Sequence, residues 1–139
     1  MKDREAEMAL NIGIAGETVQ GERRVAITPE TCRKLVAQGA RLQVERGAGA
    51  GAHFPDQAYA DAGATLVDSA AAAVADADLV LCVQPPAAEA LAGLKQGAVL
   101  VGILQPQADP ARADALAARG VVAFPLERLP RTTRAQAMD

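Results

Sequence analysis

The sequence has few of the residues on which many kinds of functional site depend. Its 139 residues include no tryptophan, one tyrosine, two phenylalanines, one histidine and two cysteines. With so few aromatic side chains, the core must consist of valine, leucine, isoleucine and alanine, in a chain that is half hydrophobic. No Ser/His/Asp arrangement, pair of catalytic carboxylates or Cys/His cluster can be assembled, so metal catalysis and covalent catalysis lack their parts.

A positive charge excess and long apolar runs are also missing. The net charge of −3 argues against a nucleic-acid-binding protein. No run of about 18 apolar residues is present that could span a membrane. Residues 1–10 alternate in charge and lack the apolar segment of a secretory signal, so they are predicted to form a flexible leader. Cys32 and Cys82 lie among apolar neighbours, which indicates reduced, buried thiols in a cytosolic protein.

Short apolar segments alternate with helical segments along the chain. A capping residue followed by proline marks two helix starts, at Thr28-Pro29 and Asp109-Pro110. The runs 79–83 and 98–104 are apolar throughout, as in strands buried on both faces of a parallel sheet. Residues 11–130 are therefore predicted to form an α/β domain with a doubly wound, mostly parallel sheet of about six strands, Rossmann-like or flavodoxin-like. The expected strands are 11–16, 41–45, 64–67, 79–83, 98–104 and 121–126, and the expected helices begin near 29, 55, 69, 87 and 110.

Ligands of such sheets bind beyond the carboxyl ends of the strands. This rule selects the segment 17–24, Gln84, Gln105 and the segment 127–139. Within the first segment, Arg23 and Arg24 allow two interpretations. In one, an arginine is solvated and the other pairs with Glu17 or Glu22. In the other, a guanidinium points into the crevice and anchors an anion or an amide.

The segment 47–52 (GAGAGA) matches the glycine spacing of a dinucleotide fingerprint. That fingerprint requires a helix to begin within the glycine loop, so that its N–H groups face the pyrophosphate. Here His53-Phe54-Pro55 intervenes before a short helix. The segment is therefore interpreted as a turn whose glycines allow close packing or positive φ, and the lone His53 as a surface or hydrogen-bonded residue.

The last nine residues place an arginine, a glutamine and an aspartate close together, at Arg131, Gln136 and Asp139. The amide and the carboxylate could bind a carboxamide such as that of nicotinamide, and the arginine supplies a permanently charged set of donors. The alternative is an exposed, solvated terminus.

Several separate blocks together resemble one known family. These blocks are GERRVAITPE at 21–30, GAGAGA at 47–52, LCVQP at 81–85, LQP at 104–106, and Arg131, Gln136 and Asp139. In this order, over about 11–139, the chain is similar to the alanine dehydrogenase/pyridine nucleotide transhydrogenase N-terminal domain.

The branch within this family depends on two positions. Alanine dehydrogenases bind the substrate carboxylate through an arginine matched here by Arg24, and they carry a lysine and a histidine where this chain has Gln84 and Gln105. Glutamine cannot act as an acid or a base, which argues against amino-acid oxidation. The glutamine forms resemble the alpha subunit of proton-translocating NAD(P) transhydrogenases, and a non-catalytic α/β binding module is the third alternative.

The resemblance implies direct hydride transfer between NAD(H) in the complete subunit and NADP(H) on a partner domain, without a metal. Arg131 and Asp139 would hold the nicotinamide carboxamide, Gln136 would position the rings, and Arg24, Gln84 and Gln105 would line the cleft. The chain would lack the true dinucleotide-binding domain, to which 131–139 would connect, and would be inactive alone. The complete subunit would be a cytoplasmic homodimer, attached to the inner membrane through membrane and NADP(H)-binding partners.

Overall fold

Six strands form one sheet in the computed structural model, which describes residues 9–129. All neighbouring strands are parallel, in the order β3-β2-β1-β4-β5-β6. This is the Rossmann order, in which the winding direction reverses between β1 and β4. The prediction of a doubly wound sheet is confirmed, and the order excludes the flavodoxin-like alternative. The strands are β1 (Asn11–Ile14), β2 (Arg41–Glu45), β3 (Thr65–Val67), β4 (Leu79–Leu81), β5 (Val99–Gly102) and β6 (Val122–Pro125).

Five α-helices connect the strands, and their starts follow the sequence signals. The Thr28 hydroxyl accepts a hydrogen bond from the N–H of Thr31, and the Asp109 carboxylate accepts one from the N–H of Arg112, at 3.2 and 3.0 Å. Both predicted caps are therefore confirmed, each with proline as the first helical residue. The helices are α1 (Pro29–Ala37), α2 (Asp56–Asp61), α3 (Ala70–Val74), α4 (Ala88–Ala92) and α5 (Pro110–Ala118).

The core is divided by the sheet into two apolar clusters. Successive side chains of a strand point to opposite faces, so neighbouring residues of one strand join different clusters. The cluster beneath α1 and α2 includes Ile12, Ile14, Cys32, Leu42, Val44 and Tyr59. The cluster beneath α3, α4 and α5 includes Ala73, Val74, Val80, Leu94, Leu100 and Leu116. Aliphatic side chains form almost all of both clusters, as the composition requires.

The apolar segment 25–27 has no strand conformation, although its composition resembles a strand. Ile27 is 3% exposed because its side chain belongs to the core beneath α1 and α2. Its carbonyl accepts a 2.7 Å hydrogen bond from the buried Tyr59 hydroxyl. The segment is thus apolar because it packs against the core, and it forms a loop that leads into α1.

The glycine-rich segment 47–52 forms turns and a short 3-10 helix, Ala50–Ala52, with His53 in the left-handed region at φ 67°. A Cβ on Gly49 would lie 2.6 Å from the Tyr59 ring and 2.8 Å from the Phe54 carbonyl oxygen. Only glycine permits this approach, which confirms the interpretation as a closely packed turn.

Strand β6 lies at the edge of the sheet. Its N–H at Val122 donates to the carbonyl of Ala98 at 2.9 Å, and its last residue is Pro125. Two of its side chains, Val122 and Phe124, are about half exposed, at 49% and 55%. No helix within residues 9–129 has the length and apolar character needed to cross a membrane.

Candidate functional site

Glutamate side chains organise the carboxyl edge, the edge of the sheet where the strands end. The first contact joins β2 to the end of β1. The Glu45 carboxylate accepts a 2.7 Å hydrogen bond from the N–H of Gly16. Glu45 is the last residue of β2, and Gly16 follows β1 by two residues. The same kind of contact recurs twice along the edge, each time between a glutamate and the backbone beyond a neighbouring strand.

The second contact, the Glu17 bridge, crosses the point at which the winding direction reverses. Glu17 follows β1, and its two carboxylate oxygens accept hydrogen bonds from the N–H groups of Val83 and Gln84, at 3.0 and 2.8 Å. Both N–H groups are partly buried and lie just beyond β4. A ligand crevice is expected at this position of a Rossmann sheet. The protein's own carboxylate therefore satisfies the donors that an anionic ligand would need.

A side-chain cluster lies beside this bridge. The guanidinium of Arg24 donates from Nε and Nη2 to the two oxygens of Glu22, at 2.9 and 2.8 Å. The side-chain amide of Gln84 donates at 3.0 Å to the Glu22 oxygen that also accepts from Nη2 of Arg24. Glu22 is only 7% exposed, whereas Arg24 is 63% exposed. The hydrogen bonds from Arg24, followed by that from Gln84, hold the pKa of Glu22 well below its usual range, so it is ionised.

The third contact, the Glu127 bridge, joins the end of β6 to the end of β5. Glu127 accepts hydrogen bonds from the N–H groups of Leu104 and Gln105, at 3.2 and 2.6 Å. The Arg112 guanidinium donates to the carbonyls of the same two residues. Gln105 has φ 46°, in the left-handed region of the backbone that residues other than glycine rarely adopt. The backbone of this segment is therefore held from both sides in a strained conformation.

The thiol of Cys82 lies between these contacts but is not a nucleophile. Burial, followed by the nearby charge of Glu17, raises the pKa of Cys82 to about 12. Its Sγ donates to the carbonyl of Val101 at 3.4 Å. Both cysteines are unpaired thiols. Cys32 is buried, as expected, whereas Cys82 is only half-buried.

The structure brings two of the three predicted cleft-lining residues together. Arg24 and Gln84 meet at one oxygen of Glu22, and the ion pair of Arg24 with Glu22 confirms one of the two interpretations of the arginine pair. Gln105 lies beyond β5, the strand next to β4, at the same edge and is exposed. The predicted cofactor-contacting residues Arg131, Gln136 and Asp139 lie outside the described residues and stay predictions.

The bridging roles of Glu17, Glu45 and Glu127 were not predicted. Each of these residues ends a strand or follows one within a few positions, and this placement is the signal that could have identified them. In a parallel sheet, the backbone N–H groups just beyond the neighbouring strand lie level with the end of this strand, and they need acceptors. In residues 9–129, no group of three or more His, Cys, Asp or Glu side chains is arranged to hold a metal ion.

Comparison with known proteins gives a consistent result. The family model of the alanine dehydrogenase/PNT N-terminal domain matches residues 13–139. The first part of the NAD(P) transhydrogenase subunit alpha of Rhodospirillum rubrum is 42% identical over 135 residues, which cover 94% of this chain and 35% of the relative. Alanine dehydrogenase of Bacillus subtilis is 38% identical over 116 residues, covering 84% of this chain and 30% of the relative.

A solved structure matches the fold closely. The transhydrogenase from Sinorhizobium meliloti superimposes with a TM-score of 0.85 at 40% identity, covering 93% of this chain and 37% of that protein. The chain thus spans about a third of the length of the curated relatives it matches. The family match and these identities show that the chain belongs to the alanine dehydrogenase/pyridine nucleotide transhydrogenase N-terminal domain family.

Proposed function

We propose that this domain is the N-terminal part of the NAD(H)-binding component of a proton-translocating NAD(P) transhydrogenase. The reaction is hydride transfer between NAD(H) and NADP(H). The observation that carries the proposal is the presence of Gln84 and Gln105 just beyond β4 and β5, at the edge where ligands of this fold bind. Neither side chain can accept or release a proton, which suits hydride transfer and does not suit amino-acid oxidation.

The other groups near these glutamines support a site without acid–base chemistry. Glu17 and Glu127 are each bound by two backbone N–H groups, and Glu22 is held ionised by Arg24. Cys82 stays protonated. Hydride transfer between two nicotinamide rings needs the rings to be close and in line, and the protein contributes orientation. The site supplies hydrogen-bonding groups for that purpose.

The described residues fit the nicotinamide end of NAD(H) and do not fit its phosphates. In the glycine-rich segment, N–H groups are bound by the protein itself: Gly47 donates to Asp56 at 2.7 Å and Ala52 to the carbonyl of Gly49 at 3.1 Å. The donors beyond β4 and β5 are taken by Glu17 and Glu127. In our proposal a downstream Rossmann domain binds the phosphates, and this chain alone transfers no hydride.

The remaining parts of the proposal follow from the family. Arg131 and Asp139 hold the nicotinamide carboxamide, and Gln136 positions this ring toward the second nucleotide. NADP(H) is bound by a partner component, and a membrane component couples the reaction to proton movement. The complete subunit is a homodimer on the cytoplasmic side of the inner membrane, to which it is attached through those partners.

Two chimeras test the proposal. This chain replaces the matching segment of the Rhodospirillum rubrum transhydrogenase subunit in one, and of the Bacillus subtilis alanine dehydrogenase in the other. We expect the first chimera, with its partner subunits, to reduce NADP⁺ with NADH, and the second to leave L-alanine unoxidised. Binding of NADH to each chimera shows that it is folded. Alanine oxidation by the second chimera, or no transhydrogenation by a first chimera that binds NADH, would contradict the proposal.

The isolated chain gives a simpler test. Most contacts to the adenosine and pyrophosphate lie elsewhere in our proposal, so NADH should bind with a dissociation constant at or beyond about 1 mM, corresponding to roughly 4 kcal/mol. Isothermal titration calorimetry measures this constant. Micromolar binding of NADH to the 139-residue chain would show that the dinucleotide site is here and not in a second domain.

The positioning role of Gln136 is tested in the active chimera. Gln136→Asn keeps the amide and shortens its reach by one methylene. Hydride transfer should fall by about ten- to a hundredfold, the penalty for displacing reacting groups by roughly 1 Å. The affinity for NADH should change much less. Unchanged transhydrogenation would show that Gln136 has no part in aligning the rings.

A further inference from the structure

Gln105 has a backbone conformation that two separate preferences oppose. Its φ of 46° lies in the left-handed region, where the Cβ atom of an L-residue crowds the following carbonyl oxygen. It also precedes Pro106, and the residue before a proline favours an extended conformation with negative φ. Both preferences act on the same residue, so Gln105 without further contacts would be extended. The left-handed conformation is therefore imposed by the surrounding protein.

The peptide groups on both sides of Gln105 are held by hydrogen bonds. In the preceding peptide group, the Leu104 carbonyl accepts from the Arg112 guanidinium. The N–H of that peptide group belongs to Gln105 and donates to Glu127 at 2.6 Å. In the following peptide group, the Gln105 carbonyl accepts from Nη2 of Arg112 at 3.3 Å and from the N–H of Ala108 at 3.0 Å. Because both peptide planes are anchored, the rotation between them that would relax φ is blocked.

Glu127 and Arg112 thus form a clamp on residue 105, and opposite charges strengthen it. A carboxylate binds the N–H end of the first peptide group and a guanidinium binds its carbonyl end, so each charge faces the favourable end of the peptide dipole. The Arg112 side chain is only 19% exposed, and its Nη1 donates to Asp109 at 3.5 Å. The clamp is therefore ordered before any ligand binds.

The described fold makes no use of the side chain that this clamp holds. Gln105 is exposed, and no group within residues 9–129 forms a hydrogen bond with its side-chain amide. Glycine would adopt the same backbone conformation without strain. Strained residues that their surroundings hold in place cluster at functional sites. The strain has a purpose if the amide of Gln105 must be presented at the carboxyl edge, where ligands of this fold bind.

We propose that Glu127 and Arg112 are positioning residues for hydride transfer, and that they act by holding Gln105 in its left-handed conformation. The inference rests on the proposed function, in which Gln105 lines the cleft for the reacting nucleotides. Relaxation of φ from 46° to an extended value of about −120° would move the Cβ atom by about 2.5–3 Å. A misplacement of roughly 1 Å is enough to slow a reaction by about a hundredfold.

The conformational step is tested by NMR in the 139-residue chain. At positive φ the amide hydrogen and Hα of one residue approach closely, so the NOE between them is stronger than in an extended residue. We expect a strong NOE at Gln105 in the parent chain and a weak one in Glu127→Ala. Arg112→Lys keeps the charge but cannot bind both carbonyls as a fork, so it should weaken the NOE to a smaller extent. A left-handed Gln105 in both variants would overturn the proposal.

The functional step is tested in the chimera with the Rhodospirillum rubrum subunit. Glu127→Ala should lower kcat by about tenfold or more and change KM for NADH by less than about twofold, because most nucleotide contacts lie elsewhere. Gln105→Gly keeps the left-handed backbone and removes the side chain, so it should lower kcat to a similar degree. The double variant should lie within about twofold of the slower single variant, since both changes remove the same positioned amide.

His53→Gly is the matched control. His53 also has a positive φ, of 67°, but it ends the short 3-10 helix and belongs to no bridge at the carboxyl edge. Its replacement by glycine should leave kcat unchanged. A clamp that only stabilises the fold would lower the melting temperature of Glu127→Ala and leave kcat, assayed well below that temperature, at the parent value. That result would overturn the inference and leave the proposed function intact. An inactive parent chimera that binds NADH would refute the proposed function, and the positioning role with it.

Discussion

The Glu17 bridge and the Glu127 bridge use the same contact in different surroundings. In each, one glutamate accepts hydrogen bonds from two successive N–H groups beyond a neighbouring strand. Beyond β4 the second of these residues, Gln84, also has its side chain bound, through Glu22. Beyond β5 the second residue, Gln105, is exposed and has its carbonyl bound by Arg112 in a left-handed conformation.

This difference indicates a division of roles along one edge. The side between β1 and β4 fixes a side chain in an ordered polar cluster, which is what recognition of a ligand group requires. The side between β5 and β6 fixes the backbone path, which determines where the chain leaves the sheet. Four experiments test the difference, from the largest expected effect to the smallest.

Removal of the Glu17 bridge should have the largest effect on stability. Glu17→Ala leaves two partly buried N–H groups, of Val83 and Gln84, without their acceptor. The free energy of unfolding should fall by about 2–3 kcal/mol. Urea denaturation followed by circular dichroism measures it, with the exposed Glu89→Ala on α4 as a control expected within about 0.5 kcal/mol of the parent protein. A loss equal to the control would mean that the bridge does not stabilise the fold.

Removal of the Glu127 bridge should cost less. In Glu127→Ala water can reach the N–H of the exposed Gln105, and only the N–H of Leu104 remains partly buried. The expected loss is about 1 kcal/mol in the same urea denaturation. A larger loss for Glu127→Ala than for Glu17→Ala would reverse the comparison between the two sides of the edge.

Substitution by glycine should change the free energy of unfolding in opposite directions at Gln105 and Gln84. Gln105 has φ 46°, so Gln105→Gly relieves the strain of a left-handed side chain and should raise the free energy of unfolding by about 0.5 kcal/mol. Gln84→Gly gains nothing of this kind and should lower it by about 1 kcal/mol, because it loses a side-chain hydrogen bond and adds backbone freedom. Thermal melts of both variants would show the opposite signs. Equal destabilisation by both would mean that the left-handed conformation carries no strain.

The carboxyl groups of the two sides should differ in their titration. Burial alone would raise the pKa of Glu127, but hydrogen bonds from backbone N–H groups lower it overall. The pKa of Glu22 is held lower still, by Arg24 and then Gln84. A lowered folded-state pKa stabilises the fold fully above the unfolded-state value of about 4.3, and this contribution is lost as pH falls through the folded-state pKa.

Carboxyl ¹³C shifts measured from pH 6 to pH 2 test this order. Glu127 should become protonated before Glu22 as the pH falls, and the shift of Glu22 should still be that of a carboxylate near pH 3. Above about pH 6 neither group should change the stability. Protonation of Glu22 at the same pH as Glu127, or at a higher pH, would contradict the ordered cluster.

Local patterns in the sequence predicted most of the fold. Thr28 and Asp109 with their prolines identified two helix starts, and the apolar runs around Leu79 and Val99 identified the central strands. These signals act over a few residues, so a single sequence contains them. Segment 25–27 shows the limit of such signals, because an apolar loop that packs against the core and a short strand have the same composition.

The site was predictable only in part. The rule that ligands bind at the carboxyl ends selected Gln84 and Gln105, and the ion pair of Arg24 was one of two alternatives. The bridges were missed because Glu17 contacts residues 66 and 67 positions away. Such a contact depends on the strand order, since it forms only if β1 and β4 are neighbours. The roles of Arg131, Gln136 and Asp139 remain predictions from the family resemblance.

The proline that ends β6 also affects how the sheet meets other molecules. The N–H of Val122 points inward to β5, so the alternation of a parallel ladder directs Ala123 and Pro125 to the open edge. Proline has no N–H, which leaves Ala123 as the one outward donor of this strand. A strand added at this edge of the described sheet would find one N–H donor in place of two, so its pairing would be weaker. The proline therefore works against edge-to-edge pairing beside Phe124, which is more than half exposed.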